Sequence, residues 1–429
     1  MFCNQCEQTA KGEACTVKGV CGKDEDIQSL QLTLTYGLKG IAAYAYHARE
    51  YGVHDEAVDA FMHEALFKTL TNVDFDLNDH VKLVLKAGET NLRIMKLLDE
   101  ATLNRFGTPS PSRVQTGRKA APGILVSGHD FLDLEALLKQ TEGTGIMVYT
   151  HGELLPAHAY PELRKYKHLA GNWGTAWQKQ RTDFPEFGGP ILMTTNCVMP
   201  PLDSYRDKLY TTSIVAVAGC KHVERADYSA VIEHAKKIGA LPEKSGKPLM
   251  TGFHHSPVLA LAPKIVDAVK AGKIRRFFLI GGCDGAKPGR DYYTRLAEIV
   301  PRDCLILTVA CGKYRFNDRD FGDIDGIPRL LDLGQCNNSY SGILIAQALA
   351  EAFKCSVNEL PLSIVLSWYE QKAVAILLTL LHLGVKNIRL GPSPPAFVTP
   401  KVLKVLQDNY NLMLIGEPGK DLEAMLAGH

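Results

Sequence analysis

Residues 123–153, GILVSGHDFLDLEALLKQTEGTGIMVYTHGE, contain the pattern that decides the fold. Two short apolar runs lie on either side of an amphipathic segment, which is typical of a strand–helix–strand unit in a parallel sheet. His129 closes the first run and Glu153 follows the second. Because open parallel sheets bind ligands beyond the carboxyl ends of their strands, the stretch predicts both the fold class and the edge where a site lies.

Further short apolar runs alternate with amphipathic segments as far as the C-terminus. They cover residues 189–197, 212–220, 276–283, 304–311, 329–336, 362–370, 387–392 and 412–416. This number of strands exceeds one comfortable sheet, and the stretch TGFHHSP at 251–257 is a suitable break. We therefore predict two doubly wound parallel-sheet, Rossmann-like domains at 115–255 and 256–429.

A helical region precedes this α/β part. Apolar residues recur at helical spacing in residues 26–51, 55–71 and 79–104, and an Asp or Asn lies at each expected start. The pattern predicts a three-helix bundle. The stretch FGTPSPSRVQTGRKAAPG at 106–123 then breaks the helical pattern. We expect the first domain to cover residues 1–114, with a four-cysteine motif ahead of the bundle.

Reactive side chains recur at the ends of the predicted strands. Besides His129 and Glu153, they are Cys197, Cys220, Cys283, Cys311, Cys336 and Glu370. A single cysteine is usually a small buried hydrophobic residue, but repetition at equivalent positions argues for a shared site. Thiolates mixed with imidazole and carboxylates suit a multinuclear iron site that keeps open positions for a small molecule. Spacing alone leaves Cys220 as a rival ligand.

Four more cysteines lie at the start of the chain: Cys3, Cys6, Cys15 and Cys21, spaced C-x2-C-x8-C-x5-C. Structural zinc usually has two C-x2-C pairs, whereas this motif has one. The spacing favours an iron–sulfur cluster. Zinc, or free or disulfide-bonded thiols, remain alternatives at this point.

Composition restricts the class of partner. The 429 residues include 48 basic and 47 acidic side chains, for a net charge of +1, so no charge excess indicates nucleic acid or a membrane surface. The first residues are not an apolar signal, and no run is long enough to span a bilayer, so we expect a cytoplasmic protein. The stretch IGGCDGAKPG at 280–289 matches neither a dinucleotide fingerprint nor a P-loop. Because the sequence then offers no nucleotide cofactor as a source of electrons, we expect a partner protein to supply them.

Several longer stretches carry a family resemblance. They are MFCNQCEQTA, YTHGELLPAHAYPEL, GNWGTAWQ, GPILMTTNCVMPP, IGGCDG, ACGKYRFN, LGQCNNSYS and LSWYEQKA. With these the chain closely resembles the hybrid cluster proteins, also called prismane proteins or hydroxylamine reductases. The resemblance implies that Cys3, Cys6, Cys15 and Cys21 bind a 4Fe-4S cluster. It also implies a hybrid 4Fe-2O-2S cluster between the domains, held by His129, Glu153, Cys197, Cys283 as a persulfide, Cys311, Cys336 and Glu370, with Lys372 beside it.

The resemblance implies an oxidoreductase that reduces hydroxylamine to ammonia and water. Protons would come from Glu153, Glu370, His129 and Lys372, and electrons from an external donor protein. Alternatives are reduction of nitric oxide to nitrous oxide in nitrosative-stress defence, carbon monoxide oxidation, and protein S-nitrosation or redox sensing through Cys283. Longer members insert a second three-helix bundle that this chain lacks. Because the uncovered bundle face needs another cover, we expect a homodimer.

Overall fold

The computed structural model describes residues 1–428 of the chain. Its helices confirm the predicted helical N-terminal region. In chain order the α-helices are α1 Glu25–Glu50, α2 Glu56–Lys68, α3 Leu77–Phe106, α4 Phe131–Thr141, α5 Pro161–Arg164, α6 Gln180–Phe187, α7 Asp203–Arg206, α8 Ser229–Ile238, α9 His255–Ala260, α10 Ala262–Lys270, α11 Tyr292–Ile299, α12 Ser339–Phe353, α13 Gln371–His382, α14 Pro400–Tyr410 and α15 Pro418–Leu426.

Short strands alternate with the helices after residue 106. They are β1 Ser112–Val114, β2 Gly117–Arg118, β3 Gly123–Ser127, β4 Met147–His151, β5 Leu169–Asn172, β6 Ile191–Met193, β7 Leu209–Thr211, β8 Lys221–His222, β9 Lys244–Ser245, β10 Leu249–Thr251, β11 Arg276–Gly282, β12 Cys304–Thr308, β13 Asp323–Ile324, β14 Ile327–Pro328, β15 Leu330–Asp332, β16 Leu362–Ser367, β17 Ile388–Gly391 and β18 Met413–Leu414. The parallel pairs among them confirm the predicted α/β class.

The described chain divides into two compact units. Unit 1 contains Met1–Thr102, Arg275–Gly285 and the described residues from Ala346 onward, and unit 2 contains Leu103–Ile274 and Ala286–Ile345. The boundaries expected at 114/115 and 255/256 stay predictions. The last residue of the expected third domain, His429, lies outside the described residues.

Unit 2 contains a six-stranded sheet in the order β5-β4-β3-β6-β7-β8. Each neighbouring pair is parallel. The chain moves outward from β3 in one direction through β4 and β5, and in the other through β6, β7 and β8. The strand order therefore reverses between β3 and β6, the kind of crevice where doubly wound sheets bind ligands. The parallel pair β12–β15 also belongs to unit 2.

In unit 1, the strands β11, β16, β17 and β18 lie side by side in that order and are parallel. Helix α1 begins at an N-cap, where the Asp24 side chain accepts from the backbone N–H of Ile27. It packs closely on α13, since a Cβ at Gly40 would lie 2.7 Å from the Cβ of Ala375. Helix α3 also contacts α13, since the side-chain amide of Asn91 on α3 donates to the hydroxyl of Thr379 on α13 at 2.9 Å.

One predicted strand is wrong. Residues 212–220 form a loop between β7 and β8, and Cys220 therefore does not close an apolar strand. Ser213 has a φ of 54°, outside the β region, and its hydroxyl donates to the buried carboxylate of Asp133 at 2.9 Å. This tertiary contact overrides the strand propensity of the run IVAVA.

Candidate metal-binding site

Two neighbouring strands of unit 2 end in the same kind of turn. Ser127 and His151 are paired in the β3–β4 register, and each is followed by a glycine with positive φ, Gly128 at 127° and Gly152 at 62°. A Cβ at Gly128 would lie 2.3 Å from the hydroxyl oxygen of Thr194, so only glycine fits there. The next residues, His129 and Glu153, are thereby carried past the edge of the sheet.

His129, Glu153 and Cys336 come together in unit 2. Their ligand atoms lie within 4.8 Å of one another, and Nε2 of His129 is 3.9 Å from Oε2 of Glu153. Glu153 and Cys336 are buried, and only 8% of the His129 side chain is exposed. An imidazole, a carboxylate and a thiol in reach of one ion match the donor set predicted for a mixed-ligand iron site.

Neighbouring groups hold these three residues in place. Nδ1 of His129 is hydrogen-bonded to the Thr195 hydroxyl at 2.9 Å, which orients the ring and leaves Nε2 facing Glu153. The backbone N–H of Cys336 donates to Oε2 of Glu153 at 2.9 Å. The side-chain amide of Gln335 donates to the carbonyl oxygens of His129 and Glu153 at 2.9 and 2.7 Å. Sequence reasoning missed Thr195 and Gln335, because their partners are distant in the chain.

A buried polar chain connects the two strand ends. Nδ1 of His151 is 2.9 Å from the Ser127 hydroxyl, and its Nε2 is 3.3 Å from Oδ2 of Asp183. Burial favours the neutral acid, but His151 and the donors of Thr175 outweigh it and lower the pKa of Asp183. Because Ser127 is buried, these hydrogen bonds support the two strand ends structurally and do not present Ser127 as an exposed nucleophile.

Cys311 and Cys197 approach a common apolar cluster in the same unit. Cys311 is buried against Ala176 and Trp177, and the partly buried Cys197 packs against that cluster. Cys311 follows Ala310, whose φ of 65° is rare for a residue with a Cβ. The Cys197 backbone is itself at a φ of 69°, and its carbonyl accepts from the Gln180 side chain at 2.7 Å. Such backbone outliers are concentrated at functional sites.

Two side chains that follow Cys311 tie its turn to the others. Tyr314 donates its hydroxyl to the carbonyl of Gly152 at 2.8 Å, directly before Glu153. Burial, and then the charges of Glu153 and Cys311, raise the pKa of this phenol well above its ordinary value. Lys313 donates to the carbonyl of Gly334 at 2.7 Å, two residues before Cys336. Neither residue was predicted from the sequence.

Unit 1 contains the other predicted strand-end residues. Cys283 is buried after Gly282, and its backbone N–H donates to the carbonyl of Ser367 at 3.2 Å. Glu370 is the N-cap residue of α13, and the buried Lys372 follows in the first turn of that helix. Nζ of Lys372 lies 3.9 Å from Oε1 of Glu370 and 5.9 Å from the ring centre of Tyr44 on α1.

The four N-terminal cysteines lie directly before α1 in unit 1. Cys3 and Cys15 exchange two backbone hydrogen bonds of 3.1 and 2.8 Å, which bring two segments of the motif together. Backbone N–H groups of Ala10 and Val20 lower the pKa of the Cys15 thiol, and the positive charge of Lys23 contributes in the same direction. All eleven cysteines lie within residues 1–428, and none of them forms a disulfide there, so no disulfide ties up the four cysteines of the motif.

The three remaining cysteines lie apart from the predicted ligands. The partly buried Cys220 packs against the apolar core of unit 2, and burial raises the pKa of its thiol. Cys304 is buried at the start of β12, and Cys355 follows α12. For Cys220, this raised pKa disfavours the thiolate, which is the form that binds a metal.

The fold and the site together define a class: an α/β protein with a mostly buried histidine–carboxylate–thiol cluster, of the kind that can hold a metal ion, beside a parallel sheet. A family model described as the Prismane/CO dehydrogenase family matches residues 1–84 and 76–423. The chain belongs to this family.

Curated relatives agree with this assignment. The hydroxylamine reductase of Moorella thermoacetica is 67% identical over 426 residues, which cover 99% of this chain and 100% of that relative. The one from Methanothermobacter thermautotrophicus is 50% identical over 426 residues, with 99% and 100% covered. The hydroxylamine reductase of Thermodesulfovibrio yellowstonii is 56% identical over 404 residues, which cover 94% of this chain but 75% of the relative. The family therefore includes hydroxylamine reductases that are longer than this chain and others that this chain covers from end to end.

Solved structures support the fold. A nickel-free carbon monoxide dehydrogenase from Thermococcus sp. AM4 has a TM-score of 0.78 at 18% identity, covering 99% of this chain and 90% of that one. Carbon monoxide dehydrogenase IV from Carboxydothermus hydrogenoformans also has a TM-score of 0.78, at 17% identity, covering 100% and 92%. At such identities the likeness concerns architecture alone. Among the helices of residues 1–428, none has both the length and the apolar character needed to cross a membrane.

Proposed function

We propose that this protein is a hydroxylamine reductase, which converts hydroxylamine, two electrons and two protons into ammonia and water. The observation that carries the proposal is the convergence of His129, Glu153 and Cys336, whose ligand atoms lie within 4.8 Å of one another. Relatives of the same length that bear this name support the choice of reaction. The mixed nitrogen, oxygen and sulfur donors fit an iron–sulfur–oxygen cluster better than structural zinc, whose four positions are usually filled by Cys and His alone.

In this proposal two clusters are bound. A hybrid 4Fe-2O-2S cluster takes as ligands His129, Glu153, Cys197, Cys283 as a persulfide, Cys311, Cys336 and Glu370. A 4Fe-4S cluster takes Cys3, Cys6, Cys15 and Cys21. When bound, the hybrid cluster supplies electrons and an open Lewis-acidic iron for the N–O bond.

The side chains contribute orientation and protons. Thr195 fixes the His129 ring, and the N–H of Cys336 orients the Glu153 carboxylate. Lys372 is the strongest candidate for proton delivery, since its ammonium is buried and lies 3.9 Å from the Glu370 carboxylate. Carboxylates that bind a metal are poor proton donors, so we give Glu153 and Glu370 a secondary part in that step.

Electrons enter, in this proposal, from an external donor protein that docks on the N-terminal cysteine motif. Three apolar side chains of that loop are exposed: Phe2 at 62%, Val17 at 85% and Val20 at 57%. Exposed apolar groups next to a redox centre provide a contact surface for a transient partner.

We also propose a homodimer. Leu66, Phe67, Leu70 and Phe75, at the end of α2 and in the loop after it, are exposed apolar residues that a second copy could cover. Light scattering that finds a stable monomer at micromolar concentration would contradict this part.

The experiment for the function compares substrates side by side. Protein purified without oxygen is analysed for iron, nickel and sulfide, and kcat/KM is measured for hydroxylamine and nitric oxide with one electron donor. We expect iron without nickel and a preference for hydroxylamine. A preference for nitric oxide would favour the nitrosative-stress reading, nickel would favour carbon monoxide oxidation, and trans-nitrosation with negligible turnover would favour a signalling role of Cys283.

A further inference from the structure

Lys23 is a buried cation beside the N-terminal cysteine motif. It follows Cys21 by two residues, and only 1% of its surface is exposed. Its ammonium donates to Oε1 of Gln31 at 2.9 Å, and Gln31 is a neutral partner on α1. Within residues 1–428, no carboxylate forms an ion pair with Lys23. The other two strongly buried lysines described above, Lys313 and Lys372, each have a carboxylate nearby.

A buried ammonium without an anion is unfavourable, because a neutral hydrogen bond recovers only part of its lost hydration. An anionic group must therefore lie within reach of Lys23. The motif supplies one, since Cys21 lies on the same tight turn. A Cβ at Gly19 would be 3.1 Å from the Cys21 sulfur and 3.1 Å from the Lys23 carbonyl oxygen, so both residues fold around the same glycine.

We propose that Lys23 is the counter-charge of the N-terminal iron–sulfur cluster and sets its reduction potential. This inference rests on the proposed function only in requiring a cluster on Cys3, Cys6, Cys15 and Cys21. One-electron reduction by an external donor adds one negative charge to the group that the four thiolates bind. A fixed buried cation stabilises the more negative, reduced state and so raises the potential. Gln31 is the positioning residue, because it holds the ammonium without neutralising it.

Two variants change this charge in different ways. Lys23→Met removes the cation and keeps an unbranched apolar stem. Gln31→Glu keeps the lysine and places a carboxylate of the same length against Nζ. Lys18→Met is the matched control, since Lys18 is an exposed cation of the same loop whose charge is screened by water. The potential of the N-terminal cluster is measured in each holoenzyme by redox titration followed with electron paramagnetic resonance.

We expect both Lys23→Met and Gln31→Glu to reduce the equilibrium constant for one-electron reduction at least tenfold, which is a fall of about 59 mV. Lys18→Met should leave it within twofold. If Lys23→Met fails to assemble the cluster, Gln31→Glu decides alone. A wild-type potential in Gln31→Glu, with the cluster present, would overturn the inference.

The readout is independent of turnover. A chain that shows the predicted shifts but does not reduce hydroxylamine retains the Lys23 inference and loses the proposed function. If the protein reduces hydroxylamine but the two variants leave the cluster potential unchanged, the proposed function stands and the Lys23 inference fails. Zinc instead of iron on the four cysteines would overturn both the cluster assignment and the inference drawn from it.

Discussion

The ammonium of Lys313 lies 2.5 Å from Oδ1 of Asp332, and each of these side chains is 1% exposed. The same ammonium binds the Gly334 carbonyl, and Oδ2 of Asp332 accepts from the Thr251 hydroxyl at 2.7 Å. The pair therefore connects the turn that begins at Cys311 with the turn that leads to Cys336. An ion pair of this kind holds geometry, and it becomes costly when one partner is removed.

Breaking this pair should destabilise unit 2 strongly. We expect Asp332→Asn and Lys313→Met each to lower the free energy of unfolding by about 3–5 kcal/mol, because each leaves one buried charge without its partner. The double variant should cost less than the two single effects added together. Thermal and denaturant unfolding of the three holoproteins measures this. Single variants within about 1 kcal/mol of wild type would show that the pair is not needed.

Gly128 should be intolerant of any side chain. Gly128→Ala places a Cβ 2.3 Å from the Thr194 hydroxyl oxygen at a φ of 127°, which must displace the turn before His129. We expect loss of the hybrid cluster, measured as iron per chain. Gly143→Ala is the matched control, since its φ of 73° is also positive but no atom lies within 4 Å of an added Cβ. It should cost about 1–2 kcal/mol of stability and retain iron. Equal iron content in both variants would contradict the account.

Thr195 should act through the orientation of His129. Thr195→Val removes the hydroxyl 2.9 Å from Nδ1 of that histidine. A lost partner of a metal-binding histidine typically costs about 10–100-fold in metal affinity or activity, and we expect a loss in that range. Thr141→Val serves as control, because Thr141 is equally buried in unit 2 but its hydroxyl contacts the Leu137 carbonyl of its own helix and His168, which is not a predicted ligand. Iron retention during dialysis against a chelator compares the two.

Asp133 should make stability depend on pH. Burial and the charge of Asp130 raise its pKa to about 6 from 3.8, against the opposing effect of Arg225. The folded state therefore keeps a proton that the unfolded chain releases, so this group's contribution to stability falls as pH rises from about 4 to about 6. The full difference is about 3 kcal/mol. Asp133→Asn should flatten that part of the stability profile. An unchanged slope between those pH values would show that another group titrates there.

How much the sequence could predict depended on the range of the interactions. The strand ends that carry His129 and Glu153 followed from local apolar periodicity, and the structure places both beyond β3 and β4. The loop at 212–220 could not be predicted, because the contact of Ser213 with Asp133 joins residues 80 positions apart. Gln335 was missed for the same reason, since its partner His129 is 206 positions away. Lys23 had a local signal, because it lies two residues after Cys21, but its burial depends on folding.

The central claim is that hydroxylamine is reduced at the iron site to which Glu153 belongs. The most direct measurement is ammonia formed from hydroxylamine by Glu153→Ala, with Glu142→Ala as an exposed control from the same unit. We predict that Glu153→Ala abolishes turnover and retains the paramagnetic resonance signal of the N-terminal cluster, while Glu142→Ala keeps wild-type activity. Full activity of Glu153→Ala would contradict the account.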